Sequence, residues 1–97
     1  MRYNGDSGNE GWEGAAVAVK VFEIWHEVDD FLTSTPTPKQ ILAFRPSPAA
    51  QERLRRLLDA NGSRPLTAEE EAELNETLAV EQLMRRLKVR ALAKVQA

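Results

Sequence analysis

The 97 residues contain no cysteine. Disulfides, thiolate zinc sites and cysteine nucleophiles are thereby excluded. A small secreted domain ordinarily relies on disulfide staples, so the cytoplasm is the expected compartment. Aromatic residues are scarce: one Tyr, two Trp and three Phe. The core must then come from Leu, Val and Ala, a set that favours helices over a sandwich or barrel. A single histidine, His26, cannot by itself build an imidazole metal site. No apolar run approaches the ~20 residues of a spanning helix. Met1 to Gly14 lacks a basic patch followed by an apolar stretch, so no secretory signal is expected. Asn61-Gly62-Ser63 and Asn75-Glu76-Thr77 fit the glycosylation pattern, and without a signal both are read as chance.

The chain does have enough apolar content, 42%, for one modest core, with 29% charged residues around it. The formal net charge of −2 conceals a block pattern. Residues 1–33 carry two basic and seven acidic side chains, and residues 34–66 carry six basic and two acidic. Residues 67–84 then carry six acidic and no basic side chains, and residues 85–97 five basic and no acidic.

Four of the five glycines fall within Met1–Gly14, so residues 1–12 read as a flexible arm ahead of a single helical domain, 13–97. Tyr3 and Trp12 are the large groups of this arm, either as a tail with Trp12 tucked onto the first helix or as an aromatic-anchored docking peptide. The 3–4 spacing of Val17, Val21, Ile24, Val28, Phe31 and Leu32 predicts a helix over about 13–33. Val17, Val19 and Val21 also fit a strand, but the helical stripe continues through Leu32, and Pro36 and Pro38 end it. Thr37-Pro38-Lys39-Gln40 has the form of a capping box with proline in the first turn, opening a short helix over 38–44. Ser47-Pro48 repeats the start signal for a helix over 48–60, with Asn61-Gly62 as its stop. Thr67-Ala68-Glu69-Glu70 is a second capping box and opens the longest helix, 68–95. Acidic residues at its start and basic residues at its end suit the helix dipole. The predicted fold is all-α: four helices, the last one long.

The last helix is apolar on two sides. Val80, Met84, Leu87, Ala91 and Val95 form one stripe; Leu74, Leu78, Val89 and Leu92 form another, roughly 100° away. The helix before it spans only about half its length, so one stripe is open to a partner or another copy unless the first helix covers both. The first stripe is taken as the partner surface, with Phe22 as a second anchor beside Val19 and His26. Arg85, Arg86, Lys88 and Arg90 could track phosphates, although the net charge is negative and no aromatic stands among them to stack on bases. No catalytic, cofactor or metal residues are expected. Ser34, Thr35, Thr37 and Ser47 are explained by caps and turns, and Gly5-Asp6-Ser7-Gly8 lacks the lysine and the strand of a phosphate loop.

Residues 36–94 carry a further signal. Pro38-Lys39-Gln40-Ile41-Leu42-Ala43-Phe44-Arg45-Pro46-Ser47, Gln51-Glu52-Arg53-Leu54 and Leu57-Leu58-Asp59-Ala60-Asn61, together with Leu66-Thr67-Ala68-Glu69-Glu70-Glu71-Ala72-Glu73-Leu74 and Arg86-Leu87-Lys88-Val89-Arg90-Ala91, resemble a set of small uncharacterised bacterial helical proteins. These are of the antitoxin-like, nuclease-accessory type. The resemblance implies a helical fold and a partner such as a toxin or nuclease, and it carries over no catalytic residue. Three functions follow as expectations. The first is a non-enzymatic protein-binding module, antitoxin-like, that pairs with a protein or with itself. The second is a DNA-associated regulator using the basic end of the last helix. The third is a small structural subunit of a larger assembly. No membrane role is expected.

Overall fold

A computed structural model of the chain describes the backbone from Ser7 onward and the side chains from Gly14 onward, Ala16 excepted. The described residues form four helices and no strand: α1 (Ser7–Thr33), α2 (Pro38–Ala43), α3 (Pro48–Ser63) and α4 (Ala68–Gln96). None of them is long and apolar enough to cross a membrane.

Caps set most of these boundaries. The Thr37 hydroxyl accepts from the Gln40 N–H while the Gln40 side chain accepts from the Thr37 N–H, which satisfies two helix-end donors reciprocally. Thr67 and Glu70 repeat the arrangement at the start of α4, and Ser47 caps α3 through the Ala50 N–H. Two boundaries differ from expectation by more than one residue. Helix α1 starts at Ser7, inside the stretch read as a flexible arm; glycine in a helix interior costs ~1 kcal/mol relative to alanine, which is why the pattern places the start near residue 13. Residues 1–6 and the side chains of Tyr3 and Trp12 lie outside the described residues. Helix α3 runs through Asn61-Gly62 to Ser63. No described glycine adopts a positive φ, so Gly62 does not act as a left-handed stop. The helix ends instead at Arg64, which is held extended (φ −161°, ψ 165°) by the proline that follows it. Among the described residues the one positive φ is at Thr35 (58°), which turns the chain out of α1 ahead of Pro36.

Cross-links order the helices. Trp25 Nε1 donates to Glu76 at 2.8 Å, and Val28 packs with Val80 and Met84, so α1 and α4 lie side by side and run the same way. Helix α3 runs back along α4 in the opposite direction. Its start is tied to α1 by the Ser47 N–H donating to Glu27 (3.0 Å), its middle to α4 by Arg53 and Glu73, and its end by Arg64 and Glu70. Helix α2 closes the far end, where Ile41 and Phe44 pack on the core and the rings of Phe44 and Phe31 meet at 4.6 Å. The core comprises Val28, Val80 and Met84, with Ile24, Phe31, Leu32, Leu83 and Leu87 packed around it. Leu57 and Leu74 are also buried where α3 meets α4.

The α3–α4 corner has a pH signature. Arg64 grips Glu70 with two bonds of 2.8 Å, and the Thr67 N–H adds a third at 2.9 Å. Arg64 first, and the Thr67 backbone second, hold the Glu70 carboxyl down from its ordinary 4.5 to about 2. A depressed carboxyl stabilises the fold fully above its ordinary value, and that contribution fades as pH falls from about 4.5 through about 2. Glu70→Gln keeps the cap and removes the ion pair. Thermal melts followed by circular dichroism are expected to show a gap between wild type and Glu70→Gln at pH 7 that closes as pH falls through that window. A gap of constant size from neutral pH to acid would mean that the pair contributes nothing.

Candidate functional site

At ~1.5 Å per residue α4 is ~44 Å long and α3 ~24 Å. Helix α3 therefore leaves α4 uncovered beyond about Met84. On the side that α3 vacates, a groove of about 450 Å³ opens between α4 and the α2–α3 connection. Leu42, Phe44 and Pro46 form one wall; Val80 and Met84 the floor; Val89 and Leu92 the far wall. The connection is fastened by Lys88 Nζ, which donates to the Phe44 carbonyl at 2.8 Å. That bond holds the wall in place and leaves the Lys88 charge at the rim, beside Arg85 and Glu81. Val89 is 65% exposed and Leu92 45%, values that neither residue would have if the fold had a use for them inside.

Charge around the groove is mostly positive, with Glu81 the acidic residue in its lining. On α3 the arginines are matched: Arg53 with Glu73, Arg55 with Glu52 and Asp59, Arg56 with Glu52, and Arg64 with Glu70. Among the described residues no carboxylate comes within ion-pair distance of Lys39, Arg45, Arg85, Arg86, Arg90 or Lys94. The chain thus neutralises itself through the α3–α4 hairpin and leaves the α2–α4 end positive. Among the described residues no α1 carboxylate pairs with a cation of that end: Glu23 faces Lys20, Asp30 faces His26, and Glu27 is bound to Ser47.

The expected partner surface needs correction. Val80, Met84 and Ala91 are buried within the chain, and Leu87 packs against the same cluster. Helix α1, 27 residues long and parallel to α4, covers this stripe, and α2 covers its end. Only Val95 of that stripe is exposed; Phe22, the second anchor, is 66% exposed on the outer face of α1. The open surface is the other stripe, through Leu78, Val89 and Leu92. The opposite groove wall, Leu42, Phe44 and Pro46, was not foreseen. Its signal lay in the length mismatch of the last two helices together with the prolines that hold the connection extended along α4.

The four cations considered for nucleic acid do not share a face. At 100° per residue Arg85 and Lys88 form one pair and Arg86 and Arg90 another, about 150° apart on the helix. Only Arg85 and Lys88 border the groove. His26 pairs with Asp30 at 3.2 Å on an exposed surface, outside the groove. A second, smaller hollow lies inside the bundle among α1, α3 and α4. Glu27 and Glu73 in its lining are already bonded, to the Ser47 N–H and to Arg53. No family model, no curated protein and no solved structure matches this chain.

Proposed function

We propose that this chain is a non-enzymatic helical module that binds a protein segment in the α2–α4 groove, the segment being an amphipathic helix with acidic flanks. The observation that carries the reading is the exposure of Val89 and Leu92 beside Arg85 and Lys88, on the length of α4 that α3 cannot reach. An apolar trough with Arg85 and Lys88 at its rim suits a helix laid in by its apolar face. An antitoxin-like role, blocking a toxin or nuclease through such a segment, is the specific form proposed. It rests on the resemblance of residues 36–94, which span both groove walls. The cytoplasm is the setting proposed with it, on the lack of cysteine.

The DNA-associated reading is supported by the same unpaired cations and opposed by their division between two sides of α4. One titration separates the two. The probes are a labelled synthetic helix with leucines at i, i+3 and i+7 and glutamates between them, and a labelled DNA duplex of ~20 base pairs. Wild type is expected to bind the helix, and Leu92→Asp to weaken that binding by about tenfold or more, with the far-UV spectrum unchanged. Steeply salt-dependent duplex binding that Leu92→Asp leaves intact would replace the groove reading with the DNA one. Failure to bind either probe would overturn the groove as a docking site.

A further inference from the structure

We infer that the groove receives helix α1 of a second copy of this chain, by the outward face that carries Val19, Phe22 and His26. This rests on the groove being a docking site, as proposed above, and names its occupant.

Helix α1 has two apolar faces. The inner one, through Ile24, Val28, Phe31 and Leu32, is spent on the core. On the outer one Val19 and Phe22 are both more than half exposed, and the Phe22 ring lies on the His26 ring at 5.5 Å. Glu23 and Asp30 flank this face, Asp30 drawn in by His26 and Glu23 loosely by Lys20 at 3.6 Å. The result is a short apolar strip, Val19 and Phe22 with the His26 ring a turn on, edged by Glu23 and Asp30 and by Lys20, at the i, i+3, i+7 spacing of a groove-bound helix. Its counterpart on α4 is an apolar strip edged by Arg85 and Lys88, which lack carboxylate partners among the described residues, with Glu81 at its near end. Both are apolar along the middle, and their edges are mainly of opposite charge.

They cannot meet within one molecule. Phe22 lies across α1 from α4, and the groove opens on the side of α4 turned away from α1. Two copies can bring them together, one giving its α1 and the other its groove. Such a contact is heterologous, so each copy retains one unused half and the assembly grows to a ring or a short chain. One helix in one groove buries less than the ~800 Å² per partner of a standard interface, so association on the order of tens of micromolar is expected.

The test is sedimentation velocity of the full chain from about 5 to about 500 µM, a range that brackets the expected affinity. Wild-type mass is expected to rise with concentration. Phe22→Asp and Leu92→Asp should each remain monomeric with wild-type helicity, because both side chains are exposed. Mixed in equal amounts, the two variants should form a complex of two chains and nothing larger, since together they retain one intact α1 face and one intact groove. A wild type that stays monomeric throughout, or variants that do not combine, would overturn the inference. A monomer that still binds the acidic synthetic helix, and loses it with Leu92→Asp, would leave the groove reading standing with a foreign occupant. A monomer that binds neither would end both.

Discussion

Met84→Asp is expected to unfold the chain. Met84 is 5% exposed and packed with Val28 and Val80, the three buried residues on which Ile24, Phe31, Leu32 and Leu87 assemble. Truncating such a methionine to alanine already costs ~2–5 kcal/mol. The nearest cation, Lys88 one turn on, is already committed to the Phe44 carbonyl, and a buried charge without a well-formed partner costs several kcal/mol more. A chain of this length has a total stability of only ~5–15 kcal/mol. The substitution therefore removes most or all of it. Far-UV circular dichroism at 25 °C should show loss of most helical signal, and urea titration should show no cooperative transition. Leu92→Asp, two turns further along the same helix, should keep both. A Met84→Asp protein with the wild-type spectrum and urea midpoint would place Met84 on the surface and return the stripe Val80, Met84, Leu87 and Ala91 to the role of partner surface.

That contrast between Met84 and Leu92 shows where sequence reasoning succeeds on this chain and where it fails. Caps are local: Thr37 with Gln40, Ser47 with Ala50, and Thr67 with Glu70 each involve residues a turn apart, so the starts of three helices can be read from spacing alone. The strand alternative at Val17, Val19 and Val21 falls for the same reason, because the stripe from Val17 to Leu32 has only one consistent period. Helix ends are less legible. Asn61-Gly62 has the composition of a stop, yet the conformation that ends α3 is imposed at Arg64 by Pro65. The start of α1 is hidden by glycines, which disfavour a helix interior and so break the pattern there.

The wrong stripe on α4 has a deeper cause. Both stripes are aliphatic and both keep helical spacing, so periodicity says that α4 is two-sided without saying which side is covered. The choice is made by α1, which lies parallel to α4 and covers the face of Val80, Met84 and Leu87, and by α3, which stops short and bares Val89 and Leu92. Neither the parallel pairing of α1 with α4 nor the position of the α2–α3 connection is encoded in the pattern of α4 itself. Charge blocks were half legible in the same way. The match between basic α3 and acidic early α4 follows from a hairpin of short connection, and Arg53–Glu73 and Arg64–Glu70 realise it. Acidic α1 and basic late α4 are opposite in sign as well, but no ion pair joins them among the described residues.

Arg53→Ala is expected to cost far more than Glu73→Ala, although the two residues form one ion pair. Glu73 is 4% exposed and Arg53 48%. Arg53 Nε and Nη2 donate to the two carboxylate oxygens at 2.8 and 2.9 Å, and the carboxylate in turn raises the arginine pKa, the hydrogen bond being the largest cause. Removing the arginine strands a buried carboxylate, an event that costs ~3–5 kcal/mol in enclosed settings. The lower end applies here, about 3 kcal/mol, because water already reaches the guanidinium side of the pair. Removing the glutamate strands only an arginine whose half-exposed head can turn into solvent, at ~1 kcal/mol or less. Replacing both, as Arg53→Met with Glu73→Leu, removes the charge and refills the space between α3 and α4. That double variant should equal or exceed the wild type. Urea midpoints of the wild type, both alanine variants and the double variant test this ordering. Equal losses for the two alanine variants would show that Glu73 finds water once Arg53 is gone. The α3–α4 seam would then be looser than its packing around Leu57 and Leu74 implies.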